Sequence, residues 1–256
     1  MTILLDTLVS PEAYNALPLI SEVAAAPDAQ SQHLEHLREL LHKHKVPKGV
    51  SVRLLHKHFN TNDGEVMMFQ NVPVSNHGHV KIMKPVVPER SSQPRGIHFF
   101  VTDDATLQAY EYAMTNVPDM GDFQDFLSEF CRVVIERGLQ RTFGLKLLCE
   151  EEEEHTGWTE FELNSERGTV MFPRGMPMPT GESDFTVTTE WEGTAKDAAT
   201  PSKHSSACSH TRVCTHCNGH PSKLVHEFGE EYCLGGQSVQ PGTALHAIVD
   251  QIVAAF

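Results

Sequence analysis

The sequence predicts an α+β protein with a mainly antiparallel or mixed sheet, packed helices and a C-terminal zinc-binding Cys/His segment. Several segments alternate apolar and polar residues as strands do, and others repeat apolar residues at the spacing of amphipathic helices. The two kinds of segment do not alternate strictly, which argues against a doubly wound parallel fold. Four of the six cysteines lie in a polar stretch between Cys208 and Cys233, and this cluster is the basis of the zinc prediction.

The first part of the chain predicts helical structure. Residues 1–30 contain three prolines and an alanine run, which is typical of a short helix or an extended arm. Residues 31–45 predict an amphipathic helix with Ser31 as its N-cap, and Pro47 and Gly49 end it. The apolar face of this helix consists of four leucines: Leu34, Leu37, Leu40 and Leu41.

From residue 50 the apolar pattern changes to the period of strands. Residues 50–59 alternate in this way, and Asn62-Asp63-Gly64 is a hairpin turn signal. Further strands are predicted at 65–70, 79–83, 96–101, 142–149, 158–163, 168–172 and 184–191. Further helices are predicted near 105–114, at 122–137 and at 243–256.

Composition and charge are those of a globular protein inside the cell. Of the 256 residues, 39% are hydrophobic and 21% are charged, so the chain can form a core. No stretch approaches the ~20 apolar residues of a membrane helix. The N-terminus lacks the basic region of a signal peptide. We expect a cytoplasmic protein without membrane contact, and the sequence leaves its oligomeric state open.

The expected organisation is a core with appended segments. It comprises an N-terminal arm at 1–30, an α+β core at 31–192, a linker at 193–206, a zinc-binding segment at 207–240 and a C-terminal helix at 241–256 that packs on the core.

The cysteine cluster predicts a structural zinc site formed by Cys208, Cys214, Cys217 and Cys233. The C-x2-C pair allows two thiolates to turn inward around one ion, and four thiolates would close the coordination sphere. A segment this polar has little apolar material to fold around, so the ion would organise it. Histidines offer substitute ligands, and the alternative is a loop with incidental cysteines. The substitutes are His210, His216, His220 and His226.

Histidine pairs provide a second candidate metal site. His56 and His58 lie two apart in a predicted strand, so their side chains share a face. With Glu65 across the turn, they resemble the His-x-His and glutamate arrangement by which cupins bind a catalytic metal. An exposed strand face is the alternative interpretation of this pair.

Acidic residues after a buried strand are the candidate catalytic groups. Asp103 and Asp104 follow the strand GIHFFV, and Glu111 lies seven residues after Asp104, on the same face of the predicted helix. Such carboxylates could bind a guanidinium group. His98 could act as a general base, or it could be a hydrogen-bonded core histidine. A helix cap with a surface acid is the alternative for the carboxylates.

Four sequence blocks resemble a widespread set of fungal hypothetical proteins of similar length. They are RGIHFFV, EFCRVVIERGLQRTFGLKL, TGWTEFE and YCLGGQ. The chain also resembles the arginine-containing cyclodipeptide synthases of fungi, which join amino acids from arginyl-tRNA and a second aminoacyl-tRNA. That family has the motif Asp-Asp-x-x-Glu. Here Asp103-Asp104 is followed by Ala-Thr-Leu, so Glu111 would have to replace the glutamate.

The charge distribution is compatible with a tRNA partner. Residues 31–100 contain ten Lys/Arg against five Asp/Glu, although the whole chain has a formal charge of −14. This basic segment could contact aminoacyl-tRNA phosphates. The basic residues considered for that contact are Lys43, Lys45, Lys48, Arg53 and Lys57.

The sequence therefore leaves three functions open. The resemblance implies a zinc-stabilised cyclodipeptide synthase, an aminoacyltransferase of secondary metabolism. The alternatives are a cupin-like metal-dependent enzyme and a non-catalytic zinc-binding module for protein interaction.

Overall fold

The computed structural model describes most of the chain. The described residues are 4–47, 49–89, 92–147, 158–163, 167–173, 175–177, 185–193, 206–210, 223–226, 229–234 and 237–256. Within these ranges, no helix is both long enough and apolar enough to cross a membrane.

Helices lie mainly at the two ends of the chain. Ser10 caps the first of them by accepting a hydrogen bond from Ala13 N at 3.3 Å. The predicted helix at 31–45 is present, but it begins at Ser31 itself, with Gln30 at the cap position. The helices of the described residues are α1 Pro11–Asn15, α2 Ile20–Val23, α3 Ala26–Ala29, α4 Ser31–Lys43, α5 Gln124–Glu136 and α6 Ala244–Val253.

Strands form most of the remaining structure. The first eight are β1 Leu4–Leu5, β2 Val50–Leu54, β3 Val66–Val74, β4 Gly78–Val86, β5 Arg95–Val101, β6 Leu107–Ala113, β7 Phe143–Leu147 and β8 Trp158–Leu163. The others are β9 Gly168–Pro173, β10 Phe185–Thr188, β11 Glu190–Trp191, β12 Ser206–His210, β13 Lys223–His226, β14 Gly229–Leu234 and β15 Gln237–Val239.

The prediction of a helix near 105–114 is wrong, because this segment contains strand β6. It forms an antiparallel hairpin with β5. Asp104 accepts hydrogen bonds from the hydroxyls of Thr102 and Thr106, so it stabilises the hairpin turn instead of a helix N-terminus. Ala105 takes the left-handed conformation that the turn requires, with φ at 62°.

In the described part of the chain, twelve strands form one mixed sheet that curls round on itself. Its order is β10-β12-β8-β9-β4-β3-β6-β5-β7-β2-β11, with β1 beside β6. Most pairs are antiparallel, whereas β1–β6, β3–β6 and β8–β12 are parallel. The predicted α+β fold with a mixed sheet is confirmed. A separate antiparallel sheet contains β13, β14 and β15.

The curl follows from the pairing of two consecutive strands. β10 and β11 stand at opposite ends of the strand order, yet only Thr189 separates them in the chain. Thr188 pairs with Ala207 of β12, and Glu190 pairs with Arg53 of β2. The two ends of the sheet therefore lie side by side, along a line that we call the closure seam.

Helices cover the outer face of the curled sheet. The apolar faces of α4 and α5 share a core with β2, β5 and β7. Ile248 and Ile252 of α6 pack in a second core with apolar residues of β4, β8 and β9. Phe161 belongs to this outer core, so its neighbours Glu160 and Glu162 on β8 face inward.

Candidate metal centre

Two histidines and a glutamate meet inside the curled sheet, near the closure seam. His56 and His58 follow the end of β2, and Glu160 lies on β8. All three side chains are buried, and one possible ligand atom from each lies within 4.8 Å of the other two. Among the described residues, this is the one group of three or more His, Cys, Asp or Glu side chains with that geometry. We call these residues the triad.

The backbone after β2 explains why the two histidines converge. The amide of Leu55 donates to a carbonyl oxygen of a neighbouring segment at 2.8 Å, and the amide of Lys57 does so at 2.9 Å. Alternate residues of an extended segment share a side, so His56 and His58 project together. Their rings stand edge to face, with centroids 5.0 Å apart.

Hydrogen bonds orient both imidazole rings. His56 Nδ1 donates to Leu54 O at 2.8 Å, which selects the tautomer with its lone pair on Nε2. His58 Nδ1 lies 3.1 Å from Glu162 Oε1, and its Nε2 lies 3.3 Å from Glu160 Oε1. A backbone carbonyl or a carboxylate on the far nitrogen is the usual support for a histidine that binds a metal.

The third member of the triad is supported in the same way. Glu160 Oε1 accepts a hydrogen bond from Thr169 Oγ1 at 2.6 Å. Burial opposes ionisation of Glu160, but His58 and Arg53 outweigh it and hold the pKa of this carboxyl well below its usual range. Burial and the charge of Arg53 also hold the pKa of His56 well below its usual range. The neutral imidazole of His56 and the ionised carboxylate of Glu160 are forms that bind metal ions.

The donor set suits a divalent transition metal. Two imidazoles and one carboxylate are typical ligands of catalytic zinc and of non-haem ferrous iron. Three protein ligands leave at least one coordination position for an exchangeable ligand, unlike the closed site of four thiolates. The residues could therefore hold a metal ion and leave a coordination position for a further ligand.

Glu160 takes the place that the sequence suggested for Glu65. Glu65 directly precedes β3, at the end of the turn that begins at Asn62. Its carboxylate accepts hydrogen bonds from Asn62 N at 2.7 Å and from Arg167 Nη2 at 2.8 Å. The bond to Arg167 is the main reason that the pKa of Glu65 falls to about 2. This carboxylate stabilises the turn, so the cupin-like arrangement needs a different third ligand.

His98 and Glu111 form a buried pair on adjacent strands. They are partners in the β5–β6 register, and His98 Nδ1 is hydrogen-bonded to Glu111 Oε2. Burial raises the pKa of Glu111 to about 8. Burial, Arg53 and Lys146 lower the pKa of His98. The two predicted catalytic groups are therefore brought together in the interior.

Asp103 and Asp104 lie apart from that pair. Both are exposed in the β5–β6 turn, whereas Glu111 is buried near the other end of the hairpin. The expected sharing of one helix face fails because the segment is a strand. The roles of Asp103 and Asp104 in holding an arginine, and the cyclodipeptide synthase activity itself, stay predictions.

A buried charge cluster, which the sequence did not indicate, lies beside these residues. Glu190 Oε1 accepts from Arg53 Nη1 at 2.7 Å, and Glu190 Oε2 accepts from Lys146 Nζ at 2.8 Å. Arg53 is only 1% exposed. The signal that could have located the cluster is a set of charged residues at inward positions of otherwise apolar strands, such as Arg53 in VSVRL and Lys146 in FGLKL.

The basic segment is less available to a tRNA than its charge suggests. Arg53 is buried, and Lys43 Nζ binds both carboxylate oxygens of Glu129, at 2.8 and 2.7 Å. Lys57 is hydrogen-bonded to Asn15 O. Lys48 lies outside the described residues. The aminoacyl-tRNA partner stays a prediction.

The cysteine cluster falls mostly outside the described part of the chain. Cys208 lies on β12 and Cys233 on β14, while Cys214 and Cys217 are not among the described residues. The structural zinc site therefore stays a prediction.

Comparisons with protein-family models, with curated proteins and with solved structures find no match to this chain.

Proposed function

We propose that the protein is a metal-dependent enzyme whose mononuclear centre is formed by His56, His58 and Glu160. The observation that carries this proposal is the support of every triad member by a hydrogen bond or ion pair outside the triad. Metal ligands are commonly oriented in this way by a hydrogen bond from a further group.

Catalysis is favoured over a purely structural role by the number of ligands and by their surroundings. A divalent ion bound there would supply a Lewis acid for an oxygen atom of the substrate. The triad lies in an interior with several buried ionisable groups whose pKa values are shifted, which is typical of active sites. A structural ion would be expected to have a fourth protein ligand.

The His98–Glu111 pair is the proposed proton-transfer group of this enzyme. A carboxyl group with a pKa of about 8 holds its proton at neutral pH and can exchange it with the adjacent imidazole. His98 would present that proton, or the corresponding lone pair, through Nε2. This assigns to His98 the acid–base role that the sequence suggested for it, and to Glu111 a role other than the expected binding of a guanidinium group.

The metal content of purified protein tests the proposal. We expect about one transition-metal ion per chain at the triad. His56→Ala, His58→Ala and Glu160→Gln should each remove most of that ion, since each deletes one of three ligands. Glu65→Gln is the matched control, because this carboxylate lies beside a nearby strand outside the triad, and it should retain the wild-type metal content.

Two further variants distinguish metal bound at the triad from metal bound at the predicted cysteine site. Cys214→Ser and Cys217→Ser should abolish the predicted zinc site while the triad keeps its ion. Retention of the full metal content in all three triad variants, with correct folding, would contradict the proposal.

A further inference from the structure

Five buried polar atoms lack a hydrogen-bond partner among the described residues in one region of the interior. Each side chain is at most 2% exposed. An unpaired polar atom is costly in such a place, so it usually marks a position where a water molecule or a ligand binds. The atoms are Tyr14 OH, Arg53 Nε, His98 Nε2, Tyr110 OH and Glu111 Oε1.

These atoms belong to one cluster, which we call the interior polar site. The ring centroid of Tyr110 lies 6.4 Å from that of Tyr14 and 6.0 Å from that of His98. His98 is hydrogen-bonded to Glu111. His98 Nε2 also lies 3.8 Å from Glu190 Oε1, the oxygen that binds Arg53 Nη1. The site adjoins the triad, because Arg53 precedes His56 by three residues and its charge acts on Glu160.

The chemistry of the interior polar site favours an anionic oxygen ligand. Arg53 Nε is a donor that is always protonated, and both tyrosine hydroxyls can donate. Arg53 and Lys146 share the carboxylate of Glu190, and the charge of Arg53 also acts on the ionised Glu160, so an anion would be held by the donor atoms of this site and not by a net positive charge. Arg53 engages Glu190 through Nη1, which leaves its Nε available to a second carboxylate.

We propose that Arg53 and Tyr110, with His98, bind the carboxylate group of a small substrate next to the metal centre. The substrate would thus be a small carboxylic acid held by the interior polar site, with its reacting oxygen toward the triad. This assignment of substrate class rests on the proposed function, but binding of the carboxylate itself does not require the ion.

Acetate binding to Tyr110→Phe protein is the test. The substitution removes only the hydroxyl, which makes no hydrogen bond of normal geometry among the described residues and has the Arg53 side chain beside it, so the melting temperature without ligand should stay close to the wild-type value. Because a hydrogen bond to a charged group is lost, acetate should bind about tenfold more weakly or worse. Affinity is measured by calorimetric titration of acetate, with acetamide as the uncharged probe of the same shape.

Tyr112→Phe provides the matched control. The Tyr112 hydroxyl accepts from Val9 N at 2.7 Å and donates to a carbonyl oxygen, of Thr7 or Ala109, at 2.9 Å. Its removal should lower the melting temperature and leave acetate affinity unchanged.

Titrations of metal-free and metal-loaded protein separate this proposal from the metal proposal. Weaker acetate binding by Tyr110→Phe in the metal-free form supports the interior polar site, whatever the metal content of the protein. Absence of acetate binding in both wild-type forms overturns it. Equal acetate affinity of the wild-type and Tyr110→Phe proteins also overturns it. If acetate in that case binds only to the metal-loaded protein, acetate binds the ion alone. Binding of acetamide as strongly as acetate overturns the assignment of an anionic ligand.

Discussion

Two buried glutamates in the same interior have pKa values that are shifted in opposite directions. Burial raises the pKa of Glu111 to about 8. Burial has the same tendency at Glu160, but nearby His58 and Arg53 outweigh it and lower that pKa well below its usual range. At neutral pH one carboxyl group therefore carries a proton while the other is an ionised ligand. Two carboxyl groups whose pKa values differ in this way are suited to different roles, one in proton transfer and the other in metal binding.

The raised pKa of Glu111 predicts a specific pH dependence of stability. Between about pH 4.5, the ordinary pKa, and about pH 8, the folded state keeps a proton that the unfolded state has released. Stability contributed by this group is complete below that range and is lost as pH rises through it. Glu111→Gln removes the titration, so its melting temperature should fall less than that of wild type as pH increases.

Thermal unfolding of both proteins across this pH range checks the prediction. Glu136→Gln, at an exposed carboxyl of α5, is the control and should keep the shape of the wild-type curve. Parallel curves for wild type and Glu111→Gln would show that Glu111 does not bind its proton more tightly when folded.

Strand β8 shows how far local pattern could predict the candidate site. The alternation of apolar and polar residues in β8 predicts a strand. The structure agrees, since Phe161 packs outward and Glu160 points inward. The same pattern does not indicate that Glu160 meets His56, about 100 residues earlier in the chain. That contact depends on the order of strands in the sheet, which alternation alone does not encode.

Strand β6 shows the opposite failure, in which a local signal was misleading. Asp103-Asp104 precedes a segment of both polar and apolar residues, which is a common start of a helix. Here the pairing of β6 with β5 and β3 decides the structure instead. Tyr110 and Tyr112 favour strands, and both are buried. Tertiary pairing overrides the cap signal.

Close contact between β5 and β7 predicts that Gly144 tolerates no side chain. A Cβ atom at this position would lie 2.0 Å from Phe99 O, a backbone atom that cannot rotate away. We expect Gly144→Ala to destabilise the protein by about 1–3 kcal/mol or more, because the strands must separate locally. Denaturant unfolding measures this loss.

Gly121→Ala is the matched substitution for that experiment. Its Cβ would come nearest to Asp119 Oδ1, at 3.2 Å, and this side-chain oxygen, which accepts from Gly121 N at 2.9 Å, needs to shift by only a few tenths of an ångström. Stability should change by less than about 0.5 kcal/mol. A similarly small effect at Gly144 would indicate that β5 and β7 are less closely paired than the structure shows.

The candidate site exists because the whole sheet closes. Residues on β2, β8 and β11 meet only after the two ends of the strand order come together at Thr189. Most of these strands can be predicted from the sequence, since alternation is a property of each segment. The closure cannot, because the pairing of Glu190 with Arg53 joins residues 137 positions apart.

The charge cluster at the closure seam predicts an asymmetric response to substitution. Glu190 is bound by both Arg53 and Lys146, so Glu190→Gln leaves two buried cations without their carboxylate. Arg53→Met leaves Glu190 paired with Lys146, and methionine can fill much of the arginine volume. Removing one partner of a buried pair costs about 3–5 kcal/mol, and we expect Glu190→Gln to reach this range and to exceed Arg53→Met.

Denaturant unfolding compares the two variants with Glu136→Gln, whose exposed pair with Arg132 should be worth less than about 1 kcal/mol. Equal, small effects for all three substitutions would mean that closure of the sheet does not depend on these charges.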